Sequence, residues 1–509
     1  MQPKAQQSQQ TPSVESALVT LGVLALAVLL LAALNAFPAA RRTSIVNADG
    51  VNLDSEASAD TAGIDGEAAA GPASGGGGGG ANGGGATGAG ATGGGGPAGS
   101  CKGGATDVGV TGDSIKLGAT VVDSGIGSSF LGPVRIGMVA VQQKVNRAGG
   151  ICGRKLNLIM KDDGWDRQRG FGFIRNLVED DKVFALAVVP SSEGLDNAAD
   201  YVDKMKVPVV GTDGMLASQY TRKWIWPVAT STISLMHIIA KEAHERGARH
   251  FSLVYDRQYR FGLEGAYAYN QAVKRLTGSD IPGYEDPFSN GAGCRERFCG
   301  ILAGESSYNS QAETLRRGCE PINGTPCDSN ALLLEPTEAL TWYNSGGREP
   351  KMLTLGAGAA QTLFTKQFAD QCQAKCDRLV IWSGFNPPIE RFAGLPQVKQ
   401  YVADIRAQSP TADVNNQFLE GGYVGMILLV EALQKVGANL TRETLRQQLD
   451  TMTLDTGLTQ PLKWTGNHFA NKAAQGFRVN YTGTFGGWTE VTKGWIDDPW
   501  VGQDIVSGK

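Results

Sequence analysis

The stretch that decides the fold runs from Arg147 to Asp163 and reads RAGGICGRKLNLIMKDD. A polar helix end stops at Gly149–Gly150, because paired glycines past a helix supply the left-handed backbone that only glycine adopts without strain. After a turn through Gly153, the apolar run Leu156–Met160 is typical of a buried strand in a parallel sheet. The stretch therefore predicts the second half of a β-α-β unit. It also predicts where a ligand binds, because open α/β sheets bind ligands at the carboxyl ends of their strands.

The same alternation of short apolar runs and amphipathic segments extends along the chain. Strands are predicted over residues 115–122, 156–160, 184–189 and 207–210, and helices over 132–145, 170–178 and 195–205. The pattern then restarts, with helices over residues 233–246, 263–276 and 339–344 and strands over 251–255, 331–334 and 352–355. The fold class is therefore α/β, with two doubly wound parallel-sheet lobes. Residues 284–330 contain four cysteines and little periodicity, which predicts a disulfide-stapled loop on the second lobe.

Length and charge limit the class of protein. A chain of 509 residues is expected to form more than one core, because single cores stop growing near ~250–300 residues. Residues 1–100 carry three basic and seven acidic side chains, which leaves 43 of each sign in residues 101–509. Nucleic-acid binding needs a clustered positive patch, so this balance argues against a nucleic-acid partner.

Catalytic motifs are incomplete in the sequence. Residues 125–130 (GIGSSF) follow a strand like half of a dinucleotide-binding loop, but Phe130 stands where the third glycine must allow close helix packing. Residues 356–361 fail at the same position, Gln361. The chain has no Walker loop, HExxH or GxSxG motif, and its four scattered histidines supply no evident general base. We therefore expect no enzyme, no catalytic residue and no cofactor.

The cysteines indicate the compartment. They are even in number and comprise Cys101, Cys152, Cys294, Cys299, Cys319, Cys327, Cys372 and Cys376. The last six form three close pairs in loop-like stretches, and the first two flank the first β-α-β unit, although the connectivity does not follow from sequence. A zinc site needs CxxC-type spacing or nearby histidine, so no metal site is expected. Disulfides are the prediction, and they place the domain outside the cytoplasm.

An apolar segment, Ala17–Phe37, lies near the start of the chain. Its 21 uncharged residues can span the ~30 Å core of a bilayer at ~1.5 Å per helical residue. A secretory signal has a shorter apolar region of ~7–15 residues and a small-residue cleavage site. An uncleaved single-pass anchor at residues 17–38, after a short cytoplasmic tail at 1–16, is therefore predicted, with a cleaved signal as the alternative. Arg41 and Arg42 follow the apolar segment, and positive residues beside a membrane helix usually stay in the cytoplasm, which argues against export of the C-terminal domain. The cysteines favour its export.

Residues 39–105 are predicted to form a disordered linker. Their first part is acidic, and residues 71–100 contain 17 glycines. Such a composition buries too little apolar area to offset the backbone entropy lost on folding. A glycine-rich coil of this length has an end-to-end distance of roughly 40–45 Å. The linker would therefore let an anchored domain search the membrane surface for a partner, although a mere spacer is the alternative.

The ordered motifs resemble the type I periplasmic solute-binding proteins of the leucine/isoleucine/valine-binding kind, which feed ABC importers. The first is GGI-x-GRKL-x-L-x-x-x-DD at residues 149–163. Others follow in the family's order: LVEDDKVFALAVVP at 177–190, VPVVGT at 207–212, HFSLVYDRQYRFG at 250–262 and FLEGGYVGMILLVEALQKVGANLTRETLRQQL at 418–449. The resemblance implies a domain over 106–509, with lobe 1 at 106–228 and 385–455 and lobe 2 at 229–384 and 456–509. It also implies three hinge crossings, near residues 226–230, 381–388 and 455–461.

Two loops of the first lobe are expected to bind the ligand. Ser191 and Ser192 precede a predicted helix, and short hydroxyls with free N–H groups at a helix start suit a carboxylate. The alternative is that one serine merely caps the helix. In the family the corresponding serine takes the ligand carboxylate, and the loop Gly211-Thr212-Asp213 grips the ammonium and the carboxylate. Met215 departs from the family's usual threonine, while Asp213 adds a carboxylate that can pair with an ammonium.

The resemblance also implies ligand contacts from aromatic and acidic side chains. Phe130 aligns with an aromatic wall residue of the family, and Tyr259 and Phe261 fall in the loop that supplies the opposing wall. Glu338 aligns with the glutamate that pairs with the ligand's ammonium, although the register slides easily to Glu335. Each aromatic has the alternative of packing within its own lobe.

The function that follows is capture of a small polar ligand, an amino acid, an amide or a short carboxylate, by lobe closure. The protein would be a monomer held in the cell membrane by its N-terminal helix, with the binding domain on the extracytoplasmic side, and would deliver the ligand to ABC permease subunits. The alternative is a ligand-sensing ectodomain. Because residues 1–16 are too few for a signalling domain, a membrane partner would then have to carry the signal.

Overall fold

The computed structural model of the protein describes residues 43–46, 101–289, 293–320, 326–347, 363–376, 378–389, 391–464 and 468–506. Its strands are β1 (Thr43–Val46), β2 (Ser114–Val121), β3 (Lys155–Asp162), β4 (Ala185–Ala187), β5 (Val209–Thr212), β6 (Ile225–Pro227), β7 (Phe251–Asp256), β8 (Cys294–Arg295), β9 (Phe298–Ile301), β10 (Ser329–Leu333), β11 (Val380–Ser383), β12 (Thr453–Leu454), β13 (Leu462–Lys463), β14 (Ala473–Tyr481), β15 (Phe485–Glu490) and β16 (Ile496–Asp497). Its α-helices are α1 (Ser128–Leu131), α2 (Val134–Arg147), α3 (Arg167–Glu179), α4 (Ser192–Lys204), α5 (Ser218–Thr221), α6 (Thr232–Glu245), α7 (Arg260–Thr277), α8 (Asn309–Cys319), α9 (Pro336–Asn344), α10 (Lys366–Cys372), α11 (Pro396–Gln408), α12 (Gln417–Val436) and α13 (Arg442–Thr451).

The first lobe is built on one sheet with the strand order β1-β3-β2-β4-β5-β6. The pairings from β3 to β6 are parallel, and β2 and β3 run in register from Ser114 opposite Lys155 to Val121 opposite Asp162. Helices α3 and α4 bury a small apolar core with this sheet, while α2 packs on α12. The parallel α/β architecture predicted from the alternating pattern is confirmed for this lobe.

The junction between α2 and β3 shows why the opening stretch folds as it does. Gly149 and Gly150 end the helix with φ angles of 102° and 80°, in the left-handed region that favours glycine. The buried Asn146 amide then bonds both backbone groups of Leu156: its Oδ1 accepts from the N–H at 2.8 Å, and its Nδ2 donates to the carbonyl at 2.9 Å. One side chain thus ties the helix end to the start of the strand.

The second lobe contains a sheet with the order β10-β7-β9-β8, packed beside α6 and α7. Strand β7 is parallel to both of its neighbours, and β8 pairs with β9 in antiparallel orientation. The region predicted as a disulfide-stapled loop, residues 284–330, contributes two of these strands and helix α8. That prediction is corrected: although the segment is irregular in sequence, the apolar residues of β9 are fully buried beside β7.

Three segments cross between the lobes and are hydrogen-bonded to one another. The Nδ2 of Asn471 donates to the carbonyl of Val228 at 3.2 Å and to that of Gly384 at 2.9 Å. The backbone N–H of Asn386 donates to the carbonyl of Leu458 at 2.7 Å. These bonds join the first two crossings where they were predicted and bring the third beside them.

The third crossing lies later than expected. The residues ahead of it still pack on the first lobe, since Trp464 Nε1 donates to the carbonyl of Pro227 at 2.8 Å. The chain enters the second lobe at Asn471, directly before β14, which pairs with β11 and β15. The expectation of a crossing at residues 455–461 came from the family resemblance. Pro461, at the end of that range, precedes β13, which pairs with β12 as a small two-stranded sheet.

All eight cysteines form disulfides, and the pairs are those that lie close in sequence or flank the first unit. The bridges are Cys101–Cys152, Cys294–Cys299, Cys319–Cys327 and Cys372–Cys376. The first one fixes the start of the folded domain. Beside it, the buried Arg154 donates to the carbonyls of Gly104 at 2.7 Å and Ala438 at 2.8 Å.

Some predictions fall outside the described residues. These are the anchor and its tail, most of the linker and the strand at residues 352–355. Within the segment predicted as linker, the described residues Thr43–Val46 form strand β1. None of the helices in the part of the chain that the structure describes has the length and apolar character needed to span a bilayer.

Candidate functional site

The loops that carry the candidate residues follow strand ends in both lobes. In the first lobe, Asp163 follows β3, residues 190–192 follow β4 and Asp213 follows β5. In the second lobe, Asp256 ends β7 and Glu335 follows β10. Because the strands in each set are parallel, their carboxyl ends meet at one edge of each sheet. Contacts between these loops define a cleft between the lobes.

Aromatic side chains close this cleft. Trp165, on the loop after β3, stacks on Tyr259 of the second lobe, with ring centroids 4.5 Å apart and planes 18° apart. Phe261 lies parallel to the Trp165 ring at 6.3 Å, and Phe130 meets that ring edge-on at 5.8 Å. The structure therefore brings the predicted wall residues Phe130, Tyr259 and Phe261 together around a tryptophan that the sequence analysis missed.

The backbone aims Trp165 into the cleft. Its φ is 64°, an uncommon value for a residue other than glycine, and Gly164 before it has a φ of 58°. The Oδ1 of Asp163 accepts a hydrogen bond from the Trp165 N–H at 2.9 Å and holds the turn. Trp165 could have been identified in the sequence by its position, because it follows Gly164 and the two aspartates at the end of a predicted strand.

Charged side chains add a second link between the lobes. The backbone N–H of Arg260, at the start of α7, donates to Glu193 Oε1 at 2.8 Å. The Nε of Arg260 donates to Glu264 Oε1 at 2.7 Å, and Glu264 Oε2 accepts from the N–H of Ala217 in the first lobe at 2.8 Å. Burial raises the pKa of Glu264 to about 7, against the smaller opposing effects of these partners. The closed arrangement is therefore held by both stacking and charge.

The loop at residues 190–192 places the Ser191 hydroxyl near the buried carboxyl of Asp163. Ser191 is the residue before α4, yet its side chain makes no capping hydrogen bond, so the capping alternative does not apply to it. The Ser191 hydroxyl lies beside the buried carboxyl of Asp163 and can donate to it. Ser192 differs, because its Oγ accepts from Trp165 Nε1 at 3.4 Å. Burial raises the pKa of Asp163 to about 6, with the neighbouring Ser191 hydroxyl opposing.

Some polar groups of the loop after β5 form hydrogen bonds close by in the chain, and one has no partner among the described residues. The Thr212 hydroxyl donates to Gln219 Oε1, and Gly211 packs against Gly425 so closely that a Cβ would collide with it. Asp213 Oδ1 accepts from Gln219 Nε2 at 2.7 Å, whereas Asp213 Oδ2 has no partner among the described parts of the chain. Burial raises the pKa of Asp213 to about 7. Within this loop, Asp213 is therefore the residue that can still form a hydrogen bond with a ligand.

The second lobe places three acids together. Asp256, Glu335 and Glu338 are almost fully buried, and their repulsion adds to the effect of burial on the pKa of Glu335, which rises well above its ordinary value. Burial raises the pKa of Asp256 to about 7 and also raises that of Glu338. In the ranges that the structure describes, the Glu335 carboxyl and Asp256 Oδ2 have no hydrogen-bond partner. Backbone N–H groups of Gly304 and Glu338 oppose the rise in the pKa of Glu338. The predicted Glu338 and its register alternative Glu335 thus lie in one acidic cluster.

Two spaces adjoin the closed cleft. A groove of about 970 Å³ opens outward beside the stacked rings, between the loop at Gly164–Arg167 and residues 257–263 and 286–289 of the second lobe. A small, mostly apolar cavity lies at the inner end, in the first lobe and the hinge. Its polar lining side chains are Asp213 and Gln417, and sequence reasoning missed Gln417 because it is an ordinary helix residue in the pattern.

The chemistry of this site is that of binding. Its free groups are mainly carboxyl oxygens, which accept hydrogen bonds from N–H groups or pair with an ammonium. Uncompensated carboxyls are costly to bury, so a ligand that supplies donors would relieve them. Among the residues that the structure describes, no group of three or more His, Cys, Asp and Glu is arranged to hold a metal ion.

Comparisons with solved structures agree with this architecture. A fatty acid ABC transporter substrate-binding protein from Thermomonospora curvata is 19% identical, with a TM-score of 0.62 over 78% of this chain and 95% of its own. The leucine-binding protein LivK from Thermotoga maritima is 14% identical, with a TM-score of 0.61 over 75% of this chain and 99% of its own. The substrate-binding protein LivJ from Streptococcus pneumoniae, solved with isoleucine, is 16% identical, with a TM-score of 0.58 over 74% of this chain and 99% of its own. At these identities the likeness shows the fold.

Sequence comparison identifies the family. No curated protein matches this chain. The sequence profile described as periplasmic binding protein matches residues 114–290 and 338–484, which is well over half of the chain. The matched segments contain the first-lobe loops of the cleft and the loop after β7, and the second segment begins at Glu338. The chain therefore belongs to the periplasmic binding protein family, as a type I member with two parallel-sheet lobes.

Proposed function

We propose that this protein captures a small ligand outside the cytoplasm by closing its two lobes and delivers it to an ABC importer. The family supports an extracytoplasmic solute-binding role, and four disulfides are consistent with an oxidising compartment. The relatives named for leucine and isoleucine, and for a fatty acid, are transporter substrate-binding proteins with ligands of different chemistry. The site itself must therefore indicate the ligand.

The observation that carries the proposal is the set of buried carboxyl oxygens without partners on both sides of the cleft. Asp213 Oδ2 in the first lobe, and Asp256 Oδ2 and both Glu335 oxygens in the second, have no hydrogen-bond donor within the described residues. In their ionised form these carboxyls accept from N–H donors or pair with an ammonium, and they repel a plain carboxylate. A ligand that supplies donors would therefore oppose the rise in their pKa values on burial. The favoured ligand is therefore an amino acid or an amide rather than a short carboxylate.

A zwitterion would find complementary groups in the first lobe. The Ser191 hydroxyl and the start of α4 offer donors for a carboxylate, and Asp213 offers an acceptor for an ammonium. On the second lobe, Tyr259 would cover the ligand while Glu338 accepts further donors. This arrangement uses most of the residues expected from sequence, although it assigns Thr212 an internal role.

The N-terminal region would tether the domain to the membrane. Ala17–Phe37 would form the anchor, and the linker would release the folded domain at Cys101, whose bridge to Cys152 fixes its start. A reach of roughly 40–45 Å would bring the domain to permease subunits in the same membrane.

Thermal-shift measurements test this function. The full-length protein is screened against amino acids, primary amides, urea and short carboxylic acids, and solutes with N–H donors should raise the melting temperature. Glu338→Gln should weaken the binding of a cationic or zwitterionic solute about tenfold or more, while an exposed control, Glu313→Gln, should not. Co-purification with a permease would distinguish transport from sensing. A protein stabilised by carboxylic acids alone would contradict the proposed ligand class.

A further inference from the structure

The last described segment of the second lobe, residues 496–506, runs from β14 to the start of α7, and we name it the C-terminal strap. It begins as β16, where Ile496 pairs with Ala474 of β14. It ends at Val506, whose carbonyl accepts from Arg260 Nη2 at 3.1 Å. Beyond β16 the strap contains no helix or strand. Side-chain contacts are therefore needed to hold it on the lobe.

A buried histidine of α6 lies between two carboxyl groups of the C-terminal strap. The side chain of His237 is fully buried, and its Nδ1 lies 3.0 Å from Asp498 Oδ1 while its Nε2 lies 2.9 Å from Asp504 Oδ2. A neutral imidazole has one N–H and one lone pair, so it can donate to only one of two carboxylates. Both contacts are hydrogen bonds only when the ring carries a proton on each nitrogen, or when a carboxyl supplies the missing proton.

Both oxygens that face the imidazole also accept from another donor. Asp504 Oδ2 accepts from Arg275 Nη1 at 2.6 Å, and Asp498 Oδ1 accepts from the Trp500 N–H at 2.8 Å. An oxygen that accepts in this way is a poor position for a proton, so the protons belong to the ring. Although burial favours the neutral forms, the two carboxylates raise the pKa of His237, and His237 with Arg275 lowers the pKa of Asp504. The Trp500 ring covers the cluster, because it meets the imidazole edge-on at 5.5 Å.

The charges around His237 balance only when its ring is protonated. In the part of the chain that the structure describes, the charged and titratable residues on the elements packed against it are Asp498 and Asp504 on the strap, Arg275 and Tyr267 on α7, and, one turn further along α6, Lys241 paired with Glu245. Strand β14 meets the strap with alanines. With the imidazolium and the guanidinium, two positive charges face two carboxylates. Loss of the ring proton would leave a carboxylate without compensation in a buried cluster, which is destabilising.

We infer that the C-terminal strap is a pH-dependent clasp, which stays fastened to α6 and α7 while His237 carries two ring protons and loosens when it loses one. The strap ends on Arg260, whose backbone N–H donates to Glu193 of the first lobe. Loosening of the strap therefore also weakens the link between the lobes. The inference goes beyond the proposed function and does not depend on the identity of the ligand.

The pH range of the clasp follows from the directions of the two pKa shifts. The pKa of His237 is raised above 6.5, so its stabilisation is fully present below about pH 6.5 and is lost as the pH rises through the folded value. The pKa of Asp504 is lowered from 3.8, so its stabilisation is present above about pH 3.8 and is lost as the pH falls through the folded value. The clasp is therefore fastened most firmly at mildly acidic pH.

Hydrogen–deuterium exchange of the full-length protein without added ligand tests the inference at about pH 6 and about pH 9, with labelling times scaled to the intrinsic exchange rate. The amides of Asp498 and Gln503, which donate to the carbonyls of Lys472 and Trp500, report on the strap. Their protection in the parent should fall about tenfold or more between the two conditions, because one pKa unit corresponds to a tenfold change in the equilibrium. The Arg260 amide should lose protection together with them.

Three variants show which group produces the pH dependence. His237→Gln removes the titrating ring, so its strap should exchange faster than the parent's at about pH 6 and lose no further protection by about pH 9. His244→Gln, on the same helix, is the matched control and should behave as the parent does. Asp504→Asn keeps the ring but removes a carboxylate, so it should lower the pKa of His237, which NMR follows through the imidazole signals of the chain's four histidines.

The inference is wrong if His237 titrates at or below pH 6.5 in the folded parent, or if the strap is equally protected at both pH values. It is also wrong if the strap of His237→Gln keeps the parent's pH dependence, because other groups would then produce it. If the strap responds to pH and the Arg260 amide does not, the coupling to the lobes is wrong. If His237→Gln does not fold, the NMR titrations of the parent and of Asp504→Asn decide.

Discussion

Replacing Asp213 with asparagine should change how the stability of the empty protein depends on pH. Folding raises the pKa of this carboxyl from 3.8 to about 7, chiefly through burial, so the folded protein keeps a proton that the unfolded chain releases. The sign follows from this difference. The stabilisation from protonated Asp213 is fully present below about pH 4 and is lost as the pH rises through about 7.

The size of this change in the free energy of unfolding follows from the two pKa values of Asp213. Between about pH 5 and pH 8, the free energy of unfolding should fall by about 3 kcal/mol through Asp213 alone. Asp163, Asp256 and Glu264 have raised pKa values as well and should add to the fall in the parent protein. Asp213→Asn can still accept from Gln219 and Met215 through its amide oxygen, so the fold is expected to persist.

Thermal unfolding of the ligand-free protein by calorimetry, at these two pH values and constant salt, measures the effect. Between these two pH values, the free energy of unfolding should fall by about 3 kcal/mol less in the variant than in the parent. Asp200→Asn serves as the control, because the Asp200 side chain is 89% exposed and should leave the pH dependence unchanged. An Asp213→Asn variant with the parent's pH dependence would refute the conclusion that this carboxyl is buried without a compensating partner.

Three further results are expected. Trp165→Ala removes the ring that stacks on Tyr259 and should weaken ligand binding about tenfold by calorimetry, while Trp165→Phe retains most of it; equal affinities would contradict the closure mechanism. Replacing Cys319 and Cys327 with serine should lower the free energy of unfolding by about 2–3 kcal/mol in thermal unfolding, and no loss would contradict a stabilising bridge. Cell fractionation should find the protein in membranes, with limited proteolysis releasing a soluble fragment that begins in the glycine-rich linker; a mature protein that starts directly after the apolar segment would show a cleaved signal.

Much of the fold could be predicted because local chemistry and tertiary structure agree. Gly149–Gly150 ended a helix and Leu156–Met160 formed a strand, as their turn and burial patterns indicated. Cysteines close in sequence paired because short loops bring their ends together with little loss of entropy. The embedded strand β9 escaped prediction, because four buried residues between loops give too short an apolar signal.

The candidate site was only partly predictable, because side-chain partners depend on long-range packing. The sequence marked Asp213, Glu338 and the alternative Glu335 by position, but it did not mark Asp256 and could not show that Thr212 bonds internally to Gln219. Trp165 became a cleft residue through an uncommon backbone angle. The sequence did not indicate that Gln417 lines the inner cavity without a hydrogen-bond partner among the described residues.

Native mass spectrometry of the exported protein against a mixed panel of amino acids, primary amides, urea and short carboxylic acids tests the central claim most directly. The account predicts one bound molecule per chain, drawn from the solutes that carry N–H donors, and weaker binding of that molecule in the Glu338→Gln variant. Selective binding of a short carboxylic acid, or binding that this variant retains at the parent's affinity, would contradict it.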